Sequence, residues 1–172
     1  MEMKSLKALA LLFPLILIFS CNSKKSEYEK IIGQEYYSLR VFKPFINFQD
    51  VGGSYIIKKG SKPFTLSHYK SGDVSIIAFE SIADESQRRT KYSLIDILEI
   101  SDLKQNQQIA YGICRLNGEP DQEIFAIYEV SDWDVEFFTQ IVKAWRANTK
   151  IGKIEEISTI GIDCENEVYG VE

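Results

Sequence analysis

Histidine is almost absent from this chain: His68 is the only one in 172 residues. Triad-type serine and cysteine hydrolases need a histidine beside a nucleophile and an orienting acid. Ser67 adjoins His68, but neighbouring strand residues point to opposite faces, so His68 is expected to be a surface or hydrogen-bonded histidine. No Gly-x-Ser-x-Gly elbow and no catalytic-cysteine signature occurs. With one histidine and three cysteines at wide spacing, no zinc site is expected. Gly52-Gly53 and Gly60 are not followed by Lys-Ser/Thr or a helix start, which excludes a phosphate loop. The expectation is therefore no metal, no cofactor and no enzymatic activity.

Positive charge is scarce too. The formal net charge is −5, and nucleic-acid binding rests on clustered Lys and Arg, so a nucleic-acid partner is excluded. The deficit is uneven. Residues 22–116 hold fourteen basic and eleven acidic residues, a net of +3, whereas residues 117–172 hold four and thirteen, a net of −9. Such asymmetry can steer a partner. Glu119, Asp121 and Glu123, crowded beside a turn in the acidic half, are the candidate partner-binding residues. Acidic residues at 163, 165 and 167 would share one strand face, but they lack the spacing of a calcium loop.

Long apolar runs are missing except at the start. Lys4 and Lys7 precede twelve uncharged residues, 8–19, broken by Pro14. That run is far short of the ~20 residues that span a bilayer, and a positive start before a short apolar run reads as a secretion signal. It ends in Ile18-Phe19-Ser20-Cys21. This resembles the lipobox of bacterial lipoproteins, in which an aliphatic, a variable and a small residue precede a cysteine; Phe19 is bulkier than is usual there. The resemblance implies cleavage before Cys21, lipid attachment to its thiol, and a protein held at a membrane of the cell envelope. In Gram-negative lipoproteins an Asp after the cysteine favours the inner membrane; Asn22 stands here, which implies the outer membrane in such a cell.

Removing residues 1–20 leaves a chain of single-domain length. Residues 21–35 read as lipidated cysteine and polar tether, and residues 36–172 as one domain. Cys114 and Cys164 remain as an even pair in an oxidising compartment, open to a disulfide or to two separate buried thiols.

Strands dominate the reading of the domain. Residues 36–48, 54–58, 64–69 and 74–82 are rich in aromatic and β-branched residues and are separated by Gly and Pro turn signals, Gly52-Gly53 among them. Residues 92–100 read as a further strand. Residues 107–116 and 123–130 read as a hairpin around Asn117-Gly118. One helix is expected after Ser131 or Asp132 as N-cap. Val135, Phe138, Ile141, Val142 and Trp145 follow helical spacing, Lys143, Arg146 and Lys150 gather at the end, and Asn148 and Gly152 supply the stop. Short strands at 153–158 and 161–164 close the chain. The expected fold is α+β: an antiparallel, meander-like sheet with one main helix on one face. The expected function is a membrane-anchored, non-catalytic module that binds an envelope protein, such as an inhibitor, an immunity-type factor or an assembly accessory. A binder of a small apolar ligand or envelope lipid is the alternative, and a carboxylate-based hydrolase ranks third.

Overall fold

The computed structural model describes residues 27–84 and 89–170. The signal segment, Cys21 and the rest of residues 22–26 lie outside them. Thirteen strands follow in order: β1 (Glu35–Tyr36), β2 (Gln49–Ile56), β3 (Phe64–Ser71), β4 (Val74–Asp84), β5 (Lys91–Ile100), β6 (Gln107–Tyr111), β7 (Cys114–Leu116), β8 (Glu119–Pro120), β9 (Ile124–Glu129), β10 (Phe137–Phe138), β11 (Ile141–Asn148), β12 (Lys153–Ile157) and β13 (Ile162–Glu165). They form three antiparallel sheets. The first has order β1-β5-β4-β3-β2, the second β12-β11-β9-β6, and the third β10-β13-β7-β8.

The second sheet is the middle layer. Phe125 and Ile127 of β9, with Trp145 and Ala147 of β11, pack against Ile56, Leu66, Ile77 and Phe79 of the first sheet. Ile124, Ala126 and Tyr128 of β9, with Ala144 of β11 and Ala110 of β6, pack against Cys114, Phe138, Ile162 and Cys164 of the third. On the outer face of the first sheet lies the N-terminal segment, residues 27–48. It opens with a short helical turn and contains two 3-10 turns, Leu39–Val41 and Lys43–Phe45. Ile31, Tyr36, Leu39 and Phe45 seal it onto Tyr69, Ile76, Ala78 and Leu94. Ile31 belongs to the stretch read as tether, so the folded body takes in that part of the chain.

The α+β expectation is wrong, because the main helix does not exist. No helix of seven residues or more occurs among the described residues, and the apolar stripe of residues 135–145 is split between β10 and β11. Two physical causes produced the false period. The central part of the middle sheet is covered on both faces, so β11 buries Ala144, Trp145 and Ala147 without the apolar/polar alternation of a half-exposed strand. A register shift between Ile141 and Lys143 then moves the pattern by one residue, aligning two strand fragments with a helical stripe. The supposed caps serve turns instead. The Asp132 carboxylate accepts from the Asp134 N–H at 2.9 Å, and Asn148 Oδ1 accepts from the Lys150 N–H at 3.1 Å. Gly152 takes a left-handed φ of 67° in the β11–β12 turn.

Other boundaries moved for related reasons. Gly52 and Gly53 lie inside β2, at a register shift against β3, rather than in a turn between strands. Residues 36–48 do not form the expected strand: they contain the two 3-10 turns, whose Leu39 and Phe45 face inward. The pairing expected between residues 107–116 and 123–130 is found in β6 and β9, from Gln107 opposite Glu129 to Tyr111 opposite Phe125. Nearer the turn the chain leaves it for a separate short hairpin of β7 and β8, with Leu116 opposite Glu119. There Asn117 and Gly118 take positive φ of 53° and 84°, as a two-residue hairpin turn requires. Gly112, at φ 78°, takes the chain from β6 in the second sheet to β7 in the third.

Cys114 and Cys164 pair directly across β7 and β13 and are joined by a disulfide, both fully buried. Ala110, Ala126 and Ala144, adjacent across three strands, share its cluster. The bond closes a loop of 50 residues that contains β9 and β11, the two middle strands. Replacing both cysteines with alanine is expected to cost about 4 kcal/mol on the chain-entropy account. Urea unfolding measures it, and a loss below ~1 kcal/mol would mean that the bond does not constrain the unfolded chain.

Candidate functional site

The three acids singled out in the sequence meet different fates. β8 and β9 are joined by Asp121-Gln122-Glu123, a connection held tight by its own polar groups. Asp121 Oδ1 accepts from the Glu123 N–H at 3.1 Å, and the Asp121 carbonyl accepts from the Ile124 N–H at 3.0 Å. This places Glu123 at the end of the middle sheet, its side chain only 8% exposed. Four donors converge on it. Lys58 Nζ lies 2.7 Å from Oε1, the Thr149 hydroxyl and N–H donate to the same oxygen at 2.5 and 3.0 Å, and Arg146 Nη1 donates to Oε2 at 3.2 Å. Arg146 also donates to Asp121 Oδ2 at 2.7 Å. Burial pushes the Glu123 carboxyl up, but Lys58 and Thr149 outweigh it and hold the group at about 2. Glu119 stays exposed on the hairpin.

This network forms one wall of an open cleft of about 400 Å³, lined by Ile56, Ile57, Lys58, Pro120, Asp121, Gln122 and Glu123. Gln122 Oε1 accepts from the Ile57 N–H at 2.9 Å, tying the end of β2 to the β8–β9 connection. β2 is an edge strand of the first sheet. Tyr55 and Ile57, at its end, are 52% and 68% exposed, and Val51 is exposed further along the same edge. The arrangement offers an apolar lip beside a rigid, internally neutralised ion cluster. Lys58, Arg146 and Thr149 were not legible as site residues. Lys58 sits in a turn-flanking Lys-Lys pair, and Arg146 read as a helix-end cation.

A second polar cluster lies under the N-terminal segment. Glu80 stands in β4 among Ile76, Ile77, Ala78, Phe79 and Ile82 and is completely buried. The Tyr36 hydroxyl donates to Oε1 and the Ser67 hydroxyl to Oε2, each at 2.5 Å. Burial outweighs those two donors and raises the Glu80 carboxyl to about 7. Burial and the Glu80 carboxylate hold the Tyr36 phenol far above its ordinary value. A lone acid inside an apolar strand was the signal that marks this group.

His68 faces the interface of the first and second sheets, its ring 5.8 Å from that of Tyr111 in an edge-on contact. Its Nε2 and the Ser54 hydroxyl are buried without hydrogen-bond partners. That differs from the expected surface or hydrogen-bonded histidine. Burial and nearby Lys70 lower its pKa to about 4, so the ring is neutral at pH 7.

Asp163 is paired with Arg115 at 2.6 Å, and the Arg115 guanidinium also lies 3.4 Å above the Phe137 ring. Among the described residues no group of three or more His, Cys, Asp or Glu is placed to hold a metal ion. No helix there is long and apolar enough to cross a membrane. No protein-family model, no curated protein and no solved structure matches the chain.

Two predictions follow from these environments. Glu123→Ala strands Lys58 and leaves Arg146 with Asp121 alone; both cations are partly exposed, so the full cost of breaking a buried pair is reduced to about 2 kcal/mol. Glu119→Ala stays within about 0.5 kcal/mol; equal effects in urea unfolding would remove the distinction. Glu80, with its pKa raised from 4.5 to about 7, makes stability fall as pH rises through that window. His68, lowered from 6.5 to about 4, acts in the opposite sense, losing stability as pH falls through that range. Comparing Glu80→Gln with the parent cancels the histidine contribution. The variant should gain on the parent by up to about 3 kcal/mol between pH 4.5 and 7, and a flat difference would show that Glu80 does not titrate there.

Proposed function

We propose that this chain is a lipoprotein of the bacterial cell envelope, anchored through Cys21, whose body is a non-catalytic module that binds a protein partner. The observation that carries the reading is the apolar lip and cleft at the end of β2. Val51, Tyr55 and Ile57 are exposed along an edge strand, and an interface needs an apolar centre with a polar rim. The acids beside it act within the protein: Asp121 and Glu123 are neutralised by Arg146 and Lys58. Of the three, Glu119 is the one left on the rim.

Further features support the rest of the reading. The buried Cys114–Cys164 bond suits an oxidising compartment. Glu80 has the raised pKa that a catalytic acid needs, but it is sealed from solvent by Tyr36 and its neighbours. The contact between first and second sheets is filled by Phe79, Phe125 and Trp145, with the Phe125 and Trp145 rings stacked at 5.5 Å. That filling disfavours a small apolar ligand between these two sheets.

The test is a photo-crosslinker placed at Ile57 or at Ile160, both highly exposed, in cells that carry the full chain. A single partner captured from Ile57 and not from Ile160 is the expected result; equal or absent capture at both would overturn the docking site. Fatty-acid labelling that is lost in Cys21→Ser checks the anchor separately.

A further inference from the structure

We propose that the outer side of the N-terminal segment, centred on Arg40, Val41, Lys43 and Ile46, docks onto an anionic phospholipid surface and sets the orientation of the body on the membrane. The inference rests on anchoring through Cys21. Residues 38–46 present two cations and no acid. Leu39 and Phe45 turn inward and are completely buried, while Val41 and Ile46 remain 67% and 59% exposed and Arg40 and Lys43 are exposed beside them. Apolar side chains interleaved with cations are the composition that settles in the headgroup region of an anionic bilayer.

Chain length and charge favour the membrane as occupant. Six peptide steps separate Cys21 from Glu27, the first described residue, and at ~3.6 Å per step their reach is at most ~22 Å. The segment is therefore the part of the body tied closest to the anchor. All strands within residues 117–172 belong to the second and third sheets, and that portion of the chain carries the net −9. The segment lies on the opposite face of the first sheet. Residues 27–48 as a whole balance Glu27, Glu29 and Glu35 against Lys30, Arg40 and Lys43, so the cationic excess lies in residues 38–46. An anionic surface thus attracts that stretch and repels the far side of the stack, a torque that orients the tethered body.

The test uses the chain from Cys21 onward, since every contact described above lies within residues 27–170. Its Cys21 thiol is coupled chemically to a maleimide phospholipid in vesicles; Cys114 and Cys164 are bonded and buried. Natural lipidation is thereby bypassed, so failure of the anchoring reading leaves this measurement intact. Amine acetylation is then followed by mass spectrometry at Lys43 and, as a control, at exposed Lys150. On vesicles rich in phosphatidylglycerol, Lys43 should label at least about three-fold more slowly than on phosphatidylcholine vesicles, with Lys150 unchanged. In Arg40→Glu and in Val41→Ser/Ile46→Ser the protection should disappear while circular dichroism stays that of the parent. Equal labelling of Lys43 on both vesicle types, or protection that survives these substitutions, would overturn the proposal.

Discussion

Every layer of this fold depends on β9 being buried on both faces. From Ile124 to Tyr128 its side chains alternate between two cores, Phe125 and Ile127 towards the first sheet and Ile124, Ala126 and Tyr128 towards the third. β11 beside it does the same with Trp145 and Ala147 against Ala144. A strand covered on both faces cannot hold a charge without an internal partner. The exposed charges of the middle sheet lie at Lys143 and along β12. Glu123, just before β9, and Arg146, inside β11, are largely covered, and they neutralise each other. The ion cluster at the cleft is thus a consequence of that burial.

The same constraint decides what could be read from the sequence. β3 and β4 were legible because Gly and Pro turn signals precede them and their apolar density has no competing period. β12 and β13 were legible for similar reasons. β5 has neither mark, since its Leu and Ile content also suits a helix, and it read as a strand only as a short apolar run between polar linkers. β11 was not legible: burial on both faces removes the alternation that marks a strand, and the shifted register between Ile141 and Lys143 supplies a helical spacing in its place. Local polar groups added to the error, since an Asp that caps a helix and an Asp that closes a turn bond to a nearby N–H in the same way. The division into three sheets was also hidden. Gly112 marks the crossing from the second sheet to the third, and a glycine between two apolar runs equally fits a bulge or a hairpin.

Glu80 shows how a polar group can lock one layer onto another. Its two oxygens are held by Tyr36, from the N-terminal segment, and by Ser67, from the adjacent strand of the first sheet. The Tyr36 ring also makes an edge-on contact with Phe42, at 5.4 Å, and lies 6.4 Å from that of Tyr92. Burying a carboxyl there is costly, and the raised pKa is the sign of that cost. In return the segment has one register on the sheet, because sliding it would leave the acid without its phenol donor. An apolar seal of Leu39 and Phe45 alone would tolerate more slippage.

The candidate site was the least legible part, and the reason is general to charge counting. A sequence shows how many acids crowd a stretch but not which cations arrive from elsewhere in the chain. Lys58 comes from 65 positions before Glu123 and Arg146 from 23 after it, and together they turn an apparent acidic patch into a neutral, rigid wall. Recognition then shifts from the charges to what they leave uncovered. Ile57 is held beside the wall by the bond from its N–H to Gln122, so its exposed side chain is presented on a fixed backbone. A fixed apolar group at the lip of a cleft loses little freedom when it is covered, which is the condition for an efficient contact. The net −9 of the C-terminal part then acts at longer range, on the approach and orientation of the body, and not at the point of contact.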